Sequence, residues 1–579
     1  MVNAQPKYGS LSERRLYVTE KVILKNKLSM VYRGFTLIVM LFVLGLTLFT
    51  VSPFGISSVN TDPRQHMIIN AAADDSESFP TSAIIASPPP VPPPTKPVIV
   101  RVLDNFSGGF IKGSFEAPQG VWSMIVLNYT GEATGQVFDS SYQLVINGVE
   151  VFQGTSPEYG RWVVLKDLTL YSSLFKGDVE YSFSAPSAVI KSSFLSWITL
   201  YFYPTPSGSK PPSEPNTIIP LWSCYCRGTP LTAKSPSSTV QVNIPNNVVR
   251  ATLQLYVYGF GFDEFWYSNE PSFRDVIVSV DSNLIASILP FPYINTGGID
   301  LFMWRPITGV FTLDDPPYTV DATPALGMLE GSHTLSVTVE NIAPYSTWLV
   351  SGALLLYTTP QAGQANTLSY SFSAPQISTQ TNPTFTYSNQ SANLSYSYSS
   401  SIPLSPNRSL VACETVTQSF QNNQTFNAVW ENITGDETTN THVEYVINTP
   451  TGSTVSDIRQ TISYPLSLDT GFTFSVTSTT NGDFPMYGVF SIYLYNLLQQ
   501  WHTLTTITNT TDTQTTTTRQ NLLDTVNATD GVTFGTIELI SPTAGIITGI
   551  TYISANTTKI YIQTRSPPTP YTLYVHIIS

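Results

Sequence analysis

The chain has 579 residues, of which 42% are hydrophobic and only 11% charged, and its 26 Lys and Arg stand against 39 acids for a formal charge of −13. That shortage of cations excludes a nucleic-acid surface, which needs a basic face, and the length calls for roughly three or four domains rather than one core. With 31 Tyr, 30 Phe and 9 Trp, abundant Thr, Ser and Pro, and no long Glu/Lys/Ala-rich stretch, the vocabulary is that of strands and turns, so an all-β protein is expected.

In chain order, residues 1–34 form a basic leader carrying Lys7, Arg14, Arg15, Lys21, Lys25, Lys27 and Arg33 against Glu13 and Glu20. Residues 35–51, "FTLIVMLFVLGLTLFTV", are uncharged and apolar, at the short end of a spanning helix. The positive-inside rule leaves the leader in the cytoplasm and exports everything beyond Val51, with the helix kept as a membrane anchor. A cleaved signal peptide, giving a secreted protein, is the rival. Asn-x-Ser/Thr sequons at Asn105, Asn128, Asn389, Asn393, Asn407, Asn423, Asn432, Asn509, Asn527 and Asn556 all lie beyond the apolar run and are candidate glycosylation sites on an extracellular face.

Residues 52–97 end in "SPPPVPPPTKP", an extended polyproline stalk. Residues 98–206 hold short β patterns. "YQLVINGVEVF" is the clearest, two alternating runs around Asn147-Gly148, the strongest short-range hairpin signal. Residues 213–359 repeat the vocabulary in "TLQLYVYGFGF", "RDVIVSVDSNLIASI", "HTLSVTVENI" and "SGALLLYT". Both units fit antiparallel sandwiches or jelly rolls. From Gln361 to Ser579 the composition turns to Ser, Thr, Asn and Gln, and accessory β domains are expected there.

Three cysteines, Cys224, Cys226 and Cys413, and five scattered histidines make no tetrahedral metal set and no histidine-based triad. One bridge to Cys413 is open; incidental or buried cysteines are the simpler reading. Any chemistry falls to carboxylates.

Several segments, in order, resemble the peptide:N-glycanase A family of acid-active amidases. "GQVFDSSYQLVINGVEVFQGTSPEYGRWVVLKDLTLYSSLF" resembles a block that runs aromatic-Asp-Arg, strand pair, Glu-Val-aromatic-Arg, a loop with Glu, and Trp-x-x-x-Lys-Asp. "DEFWYSN" resembles its Glu-Glu-Phe-Trp signature, and "SFRDVIVSVDSNLIASILPFPYINTGGIDLFMWRPITGV" its longest block. The likeness runs from about Val98 to Thr359. It implies two eight-stranded jelly rolls side by side with the active site between them. It implies cleavage of the GlcNAc–Asn amide of N-glycosylated proteins or peptides, without metal or cofactor.

On this reading Asp139, in "VFDSS", is the acid/base facing the scissile amide, and Glu150 and Glu158 hold water or share its proton. The plainer readings are a turn residue for Asp139, a solvated strand face for Glu150, and a structural pair at a strand end for Lys166 and Asp167. In "GFDEFWYSNEPSFRD", Trp266 and Tyr267 would stack on sugar faces, Asp263 and Glu264 would accept hydroxyls, and Arg274 would orient a glycan oxygen or carboxylate. Trp304 and Arg305 offer a second ring and guanidinium; core packing is the plainer role of each ring. The chain departs from the family pattern at Ser140 and Gln153, where the pattern has arginines that neither side chain replaces in charge. Arg161 or Arg274 is a candidate to compensate. A glycan-binding or envelope protein on the same scaffold, with catalysis lost, is the alternative, as is a surface protein sharing only the fold.

Overall fold

The computed structural model describes residues 90–134, 141–156, 160–186, 193–222, 228–292, 313–381, 387–426, 430–478, 486–511 and 514–526, with short pieces from 532 to 570. The basic leader, the apolar run Phe35–Val51, and Asp139, Glu158, Cys224, Cys226, Trp304, Arg305, Asn527 and Asn556 lie outside them. Among the described residues no helix is long and apolar enough to cross a membrane.

The described chain is nearly all antiparallel strand, as the composition led us to expect. The first unit runs β1 (Val98–Phe106), β2 (Gly109–Glu116), β3 (Trp122–Thr134), β4 (Ser141–Ile146), β5 (Val149–Thr155), β6 (Gly160–Asp167), β7 (Asp178–Ala185) and β8 (Ser193–Pro204). Its sheets order as β1-β8-β3-β6 and β2-β7-β4-β5, so first pairs with last and second with seventh, the strand order of a jelly roll. β4 and β5 meet at Asn147 and Gly148, both left-handed at φ 47° and 82°, as a two-residue hairpin turn demands. The Asn147 amide is itself tied down, donating to the Leu174 carbonyl at 2.9 Å and accepting from the Glu180 amide at 2.9 Å.

The second unit comprises β9 (Thr217–Leu221), β10 (Thr229–Thr232), β11 (Ser237–Ile244), β12 (Val248–Phe260), β13 (Val276–Val280), β14 (Asn283–Ile288), β15 (Tyr318–Asp321), β16 (Gly331–Val339) and β17 (Thr347–Thr358). Its sheets order as β10-β17-β12-β15, with β9 added on β17, and β11-β16-β13-β14. Beginning at β10, this is the same jelly-roll order.

Beyond it come β18 (Asn366–Thr381), β19 (Tyr387–Ser405), β20 (Arg408–Phe426), β21 (Trp430–Thr449), β22 (Gly452–Ser463), β23 (Leu466–Ser478), β24 (Met486–Thr511) and β25 (Gln514–Val526), all in one large sheet. "SANLSYSYSSSI" alternates strictly, so Ala392, Leu394, Tyr396 and Tyr398 fall on one buried face. That face shares a single hydrophobic core with the second jelly roll. The first jelly roll has its own core, completed by Leu313, Ala353 and Leu355 of the second unit. On β17, then, Val350, Leu354 and Leu356 face inward while Ala353 and Leu355 reach the first unit, which is why this strand is buried on both sides.

Candidate active site

The seam between the two jelly rolls gathers most of the chemistry. On the first unit it is built from β5 and β6, the last strands of their sheets. The β4–β5 register slips by one between Leu144↔Phe152 and Val145↔Glu150, leaving Val151 as an extra residue. Glu150 and Gln153 are three apart and would face opposite ways on a regular strand. The bulge turns both toward the second unit, while Val149, Val151 and Phe152 stay in the core.

Glu150 is 5% exposed, not on a solvated strand face. Its Oε2 accepts a hydrogen bond from Ser351 Oγ of β17 at 2.5 Å. Gln153 Nε2 donates to Asp315 Oδ2 at 3.0 Å, and the Asp315 amide donates to the Gln153 carbonyl at 2.9 Å. The neighbouring Asp314 accepts from Lys166 Nζ at 2.5 Å, and that ammonium also lies over the Phe152 and Tyr256 rings at 5.7 and 5.9 Å. Lys166 therefore pairs across the seam and not with Asp167, whose Oδ1 instead accepts from the Thr169 amide at 2.8 Å. The strap carrying Asp314 and Asp315 is fixed by Tyr142, which donates to the Leu313 carbonyl at 2.6 Å. The fit leaves room only for glycine at 154, where a Cβ would stand 2.4 Å from that same carbonyl oxygen.

Among the described residues three carboxyls thus share one cation, in a site almost closed to solvent. Burial pushes Glu150 up to about 7, against the opposing pull of the Ser351 hydroxyl and the Lys166 charge. Burial raises Asp314 as well, with Lys166 opposing, and raises Asp315 strongly, with Gln153 opposing and Asp314 adding to the rise. Lys166 is spent on Asp314, so Asp315 and Glu150 are the carboxyls that hold protons. Among the described residues Glu150 Oε1 and Asp315 Oδ1 find no hydrogen-bond partner, and neither do Ser141 Oγ, Gln143 Oε1 and Thr155 Oγ1 nearby. Buried polar atoms are seldom left so, and a carboxyl near pH 7 among them is suited to moving protons.

The sugar-cleft reading of "GFDEFWYSNEPSFRD" is corrected by burial. Trp266 is 0% and Tyr267 1% exposed, so neither ring has a face for a sugar. Asp263 and Arg274 form a buried ion pair, Nη2–Oδ1 2.7 Å. Asp263 also accepts from Trp348 Nε1 at 2.7 Å, Asn269 Nδ2 at 2.9 Å and the Ala343 amide at 3.1 Å, and Arg274 is capped by the Pro271 and Phe273 carbonyls. Asn422 and Gln424 of β20 both donate to the Tyr267 carbonyl at 2.9 Å. The segment is a plug that locks the second jelly roll to the C-terminal sheet; Glu264 at its margin is half-buried. Arg274, held there, cannot stand in for an arginine beside Glu150. Arg161 is exposed over the Trp197 ring at 5.5 Å. Cys413 is a free thiol.

Sequence reading missed Asp314, Asp315 and Ser351. The available signal was "LDDPP", two adjacent acids in a chain poor in charge. Nothing local says that the pair is buried against β5.

Comparison with known proteins covers the same part of the chain. Residues 103–375 match the family described as peptide N-acetyl-beta-D-glucosaminyl asparaginase amidase A. The peptide-N4-(N-acetyl-beta-glucosaminyl)asparagine amidase A of Prunus dulcis is 29% identical over 292 residues, 43% of this chain and 50% of the relative, so the chain spans about half the length of that curated relative. Among solved structures, PNGase F, a glycosylasparaginase from Flavobacterium meningosepticum, aligns with a TM-score of 0.35 at 12% identity, over 45% of this chain and 96% of that one. PNGF-II aligns with a TM-score of 0.37 at 14% identity, over 46% and 66%. Every member of the seam cluster lies within residues 103–375, the part of the chain that matches the peptide N-acetyl-beta-D-glucosaminyl asparaginase amidase A family.

Proposed function

We propose that the protein is an amidase acting outside the cytoplasm on N-glycosylated proteins or peptides, hydrolysing the GlcNAc–Asn amide. The observation that carries this reading is the buried carboxyl cluster in the family-matched region, with Glu150 raised to about 7 at the seam. Asp139, two residues ahead of β4, faces the scissile amide and takes a proton from water as the water oxygen attacks the amide carbon. The C–N bond breaks, the departing nitrogen gains a proton as the glycosylamine, and the asparagine is left as aspartate. Glu150 shares the proton with Asp139, Glu158 joins it in holding the water, and Asp315 is the second proton-bearing carboxyl of the seam. Two such proton transfers contribute about 10²–10⁴-fold each. No metal or cofactor enters.

The basic leader ahead of Phe35–Val51 and the sequons beyond it support a membrane-anchored chain with its bulk outside. Trp304 and Arg305 remain the sugar contacts of this reading. A second reading, a glycan binder without turnover, draws on Gln153, a neutral amide that meets Asp315 where the family pattern has an arginine.

The purified chain is incubated with an N-glycopeptide from pH 3 to 7 and the peptide is weighed. Release of the whole glycan with Asp in place of Asn establishes the amidase. A peptide retaining one GlcNAc overturns the amide chemistry, and an untouched peptide that still binds the folded chain moves the assignment to the binder.

A further inference from the structure

β19, β20 and β21 are two-faced. Residues 388, 390, 392, 394, 396 and 398 of β19 and 416, 418, 420, 422 and 424 of β20 are buried toward the second jelly roll, while the residues between them are exposed or half-buried. Four sequons lie on these strands, and each is placed the same way. Their middle residues Gln390, Leu394, Gln424 and Ile433 are buried, so the Asn at the first position and the Ser or Thr at the third both stand on the outer face. In β19 these are Asn389 with Ser391 and Asn393 with Ser395; in β20, Asn423 with Thr425; in β21, Asn432 with Thr434.

The register brings them together. Asn389 pairs directly with Asn423, Asn423 with Thr434, and Thr425 with Asn432. Direct cross-strand partners have Cβ atoms about 4.5–5.5 Å apart, so one small area presents four acceptor amides together with their hydroxyls. Around them Ser419 and Gln421 add no charge and no apolar area. Such a face has nothing to bury against a protein partner, and everything to gain from a hydrated one.

We propose that this outer face is N-glycosylated, with oligosaccharide amide-linked to Asn389, Asn393, Asn423 and Asn432. The proposal rests on the exported placement put forward above and not on the amidase reading. It also accounts for a hazard. β18 ends the sheet on this side, pairing only with β19 among the described residues. Its residues 366–381 carry no charge, and Leu368, Phe372 and Ile377 are 56%, 41% and 46% exposed. Long, uncharged, partly apolar edges invite pairing with another chain. Asn389 and Asn393 stand opposite Gln380 and Gln376 of that edge strand, so sugars there shield the outer side of the edge by bulk where charge is missing.

The test is peptide mass spectrometry on the full chain purified from its own cells, and on the Asp139→Asn chain so that self-processing does not strip the sites. Oligosaccharide is expected on the four face asparagines, and N389Q/N393Q/N423Q/N432Q should stay folded by circular dichroism but associate at concentrations where the parent is monomeric. Asn105, exposed near the end of β1, and Asn407, exposed in the turn after β19, report on export independently. Sugar on either of them with all four face sites bare overturns the glycosylated face while leaving export intact. No sugar at any site overturns both. A fully deglycosylated face that still yields a monomer overturns the shielding role.

Discussion

Ser351 of the second jelly roll donates its hydroxyl to Glu150 of the first at 2.5 Å, and this bond ties one of the two proton-bearing carboxyls across the seam. The Ser351 hydroxyl favours the charged form of Glu150 and burial opposes it. Taking the hydroxyl away therefore raises a value already near 7. A hydrogen bond to a charged group is worth about 1.5–3 kcal/mol, and about 1.4 kcal/mol is one pH unit. Ser351→Ala should move the Glu150 limb of the pH–rate profile upward by about one unit or more, with Ser351→Thr restoring it. Glu150→Gln should lower kcat about 10²–10⁴-fold and erase that limb. A profile unchanged in both variants would remove Glu150 from proton transfer.

Lys166 and Asp314 are the seam's one ion pair among the described residues, with side chains 12% and 1% exposed. Removing the cation leaves Asp314 buried beside Asp315 and Glu150 with nothing to offset it. Breaking a buried pair in this way costs about 3–5 kcal/mol, and the slight exposure of Lys166 points to the lower end. Lys166→Met should lower the denaturant midpoint accordingly, and Lys166→Met with Asp314→Asn should recover much of the loss. If the single variant is as stable as the parent, the pair is not what holds the strap to β6.

The plug built on Asp263 and Arg274 makes a separate prediction. Arg274→Met strands a carboxylate that also holds Trp348 Nε1 and the Ala343 amide, again at about 3–5 kcal/mol. The folded fraction should bind glycopeptide with an unchanged KM, because the plug faces the C-terminal sheet and not the seam. A raised KM at unchanged stability would return this stretch to a sugar cleft.

These residues also show what the sequence could and could not tell. The Asn147-Gly148 hairpin and the two-residue alternation of β19 are local rules, readable wherever they occur. The Trp266 and Asp263 cluster was misread because acids among rings look alike in a cleft and in a core. What separates the two is whether the acid has an internal partner, and here one partner, Trp348, lies 85 residues away. Glu150 was named from its resemblance to a motif. Its burial depends on β17, 201 residues on, and the pairing of Gln153 with Asp315 spans 162. No local pattern encodes contacts of that range.

The C-terminal sheet meets the second jelly roll through carboxyls that have no cation of their own among the described residues, and this sets how the whole molecule responds to pH. Burial pushes Asp275 up to about 7 and Glu414 up to about 8, and raises Glu437 strongly. Glu340 is raised as well, and Asp321 and Asp436 lie close by. Of the nearby cations, Arg274 is held by Asp263 and Arg250 lies on the Tyr357 ring. Because the folded values exceed the ordinary carboxyl range of about 4, the folded state binds more protons than the unfolded one between about pH 4 and 8. Stability is then complete at the acid end of that window, falls across it by at most about 1.4 kcal/mol per pH unit for each group, and levels off once pH passes the folded values of about 7 and 8. Thermal melts from pH 4 to 9 should show the midpoint falling between about pH 4 and 8 and levelling off above that. Glu414→Gln should flatten that fall and stabilise the protein at pH 8, since an amide there cannot ionise. A midpoint that rises from pH 5 to 8, or a Glu414→Gln chain with the parent's slope, would mean that these carboxyls are charged in the folded protein and that the interface is held in some other way.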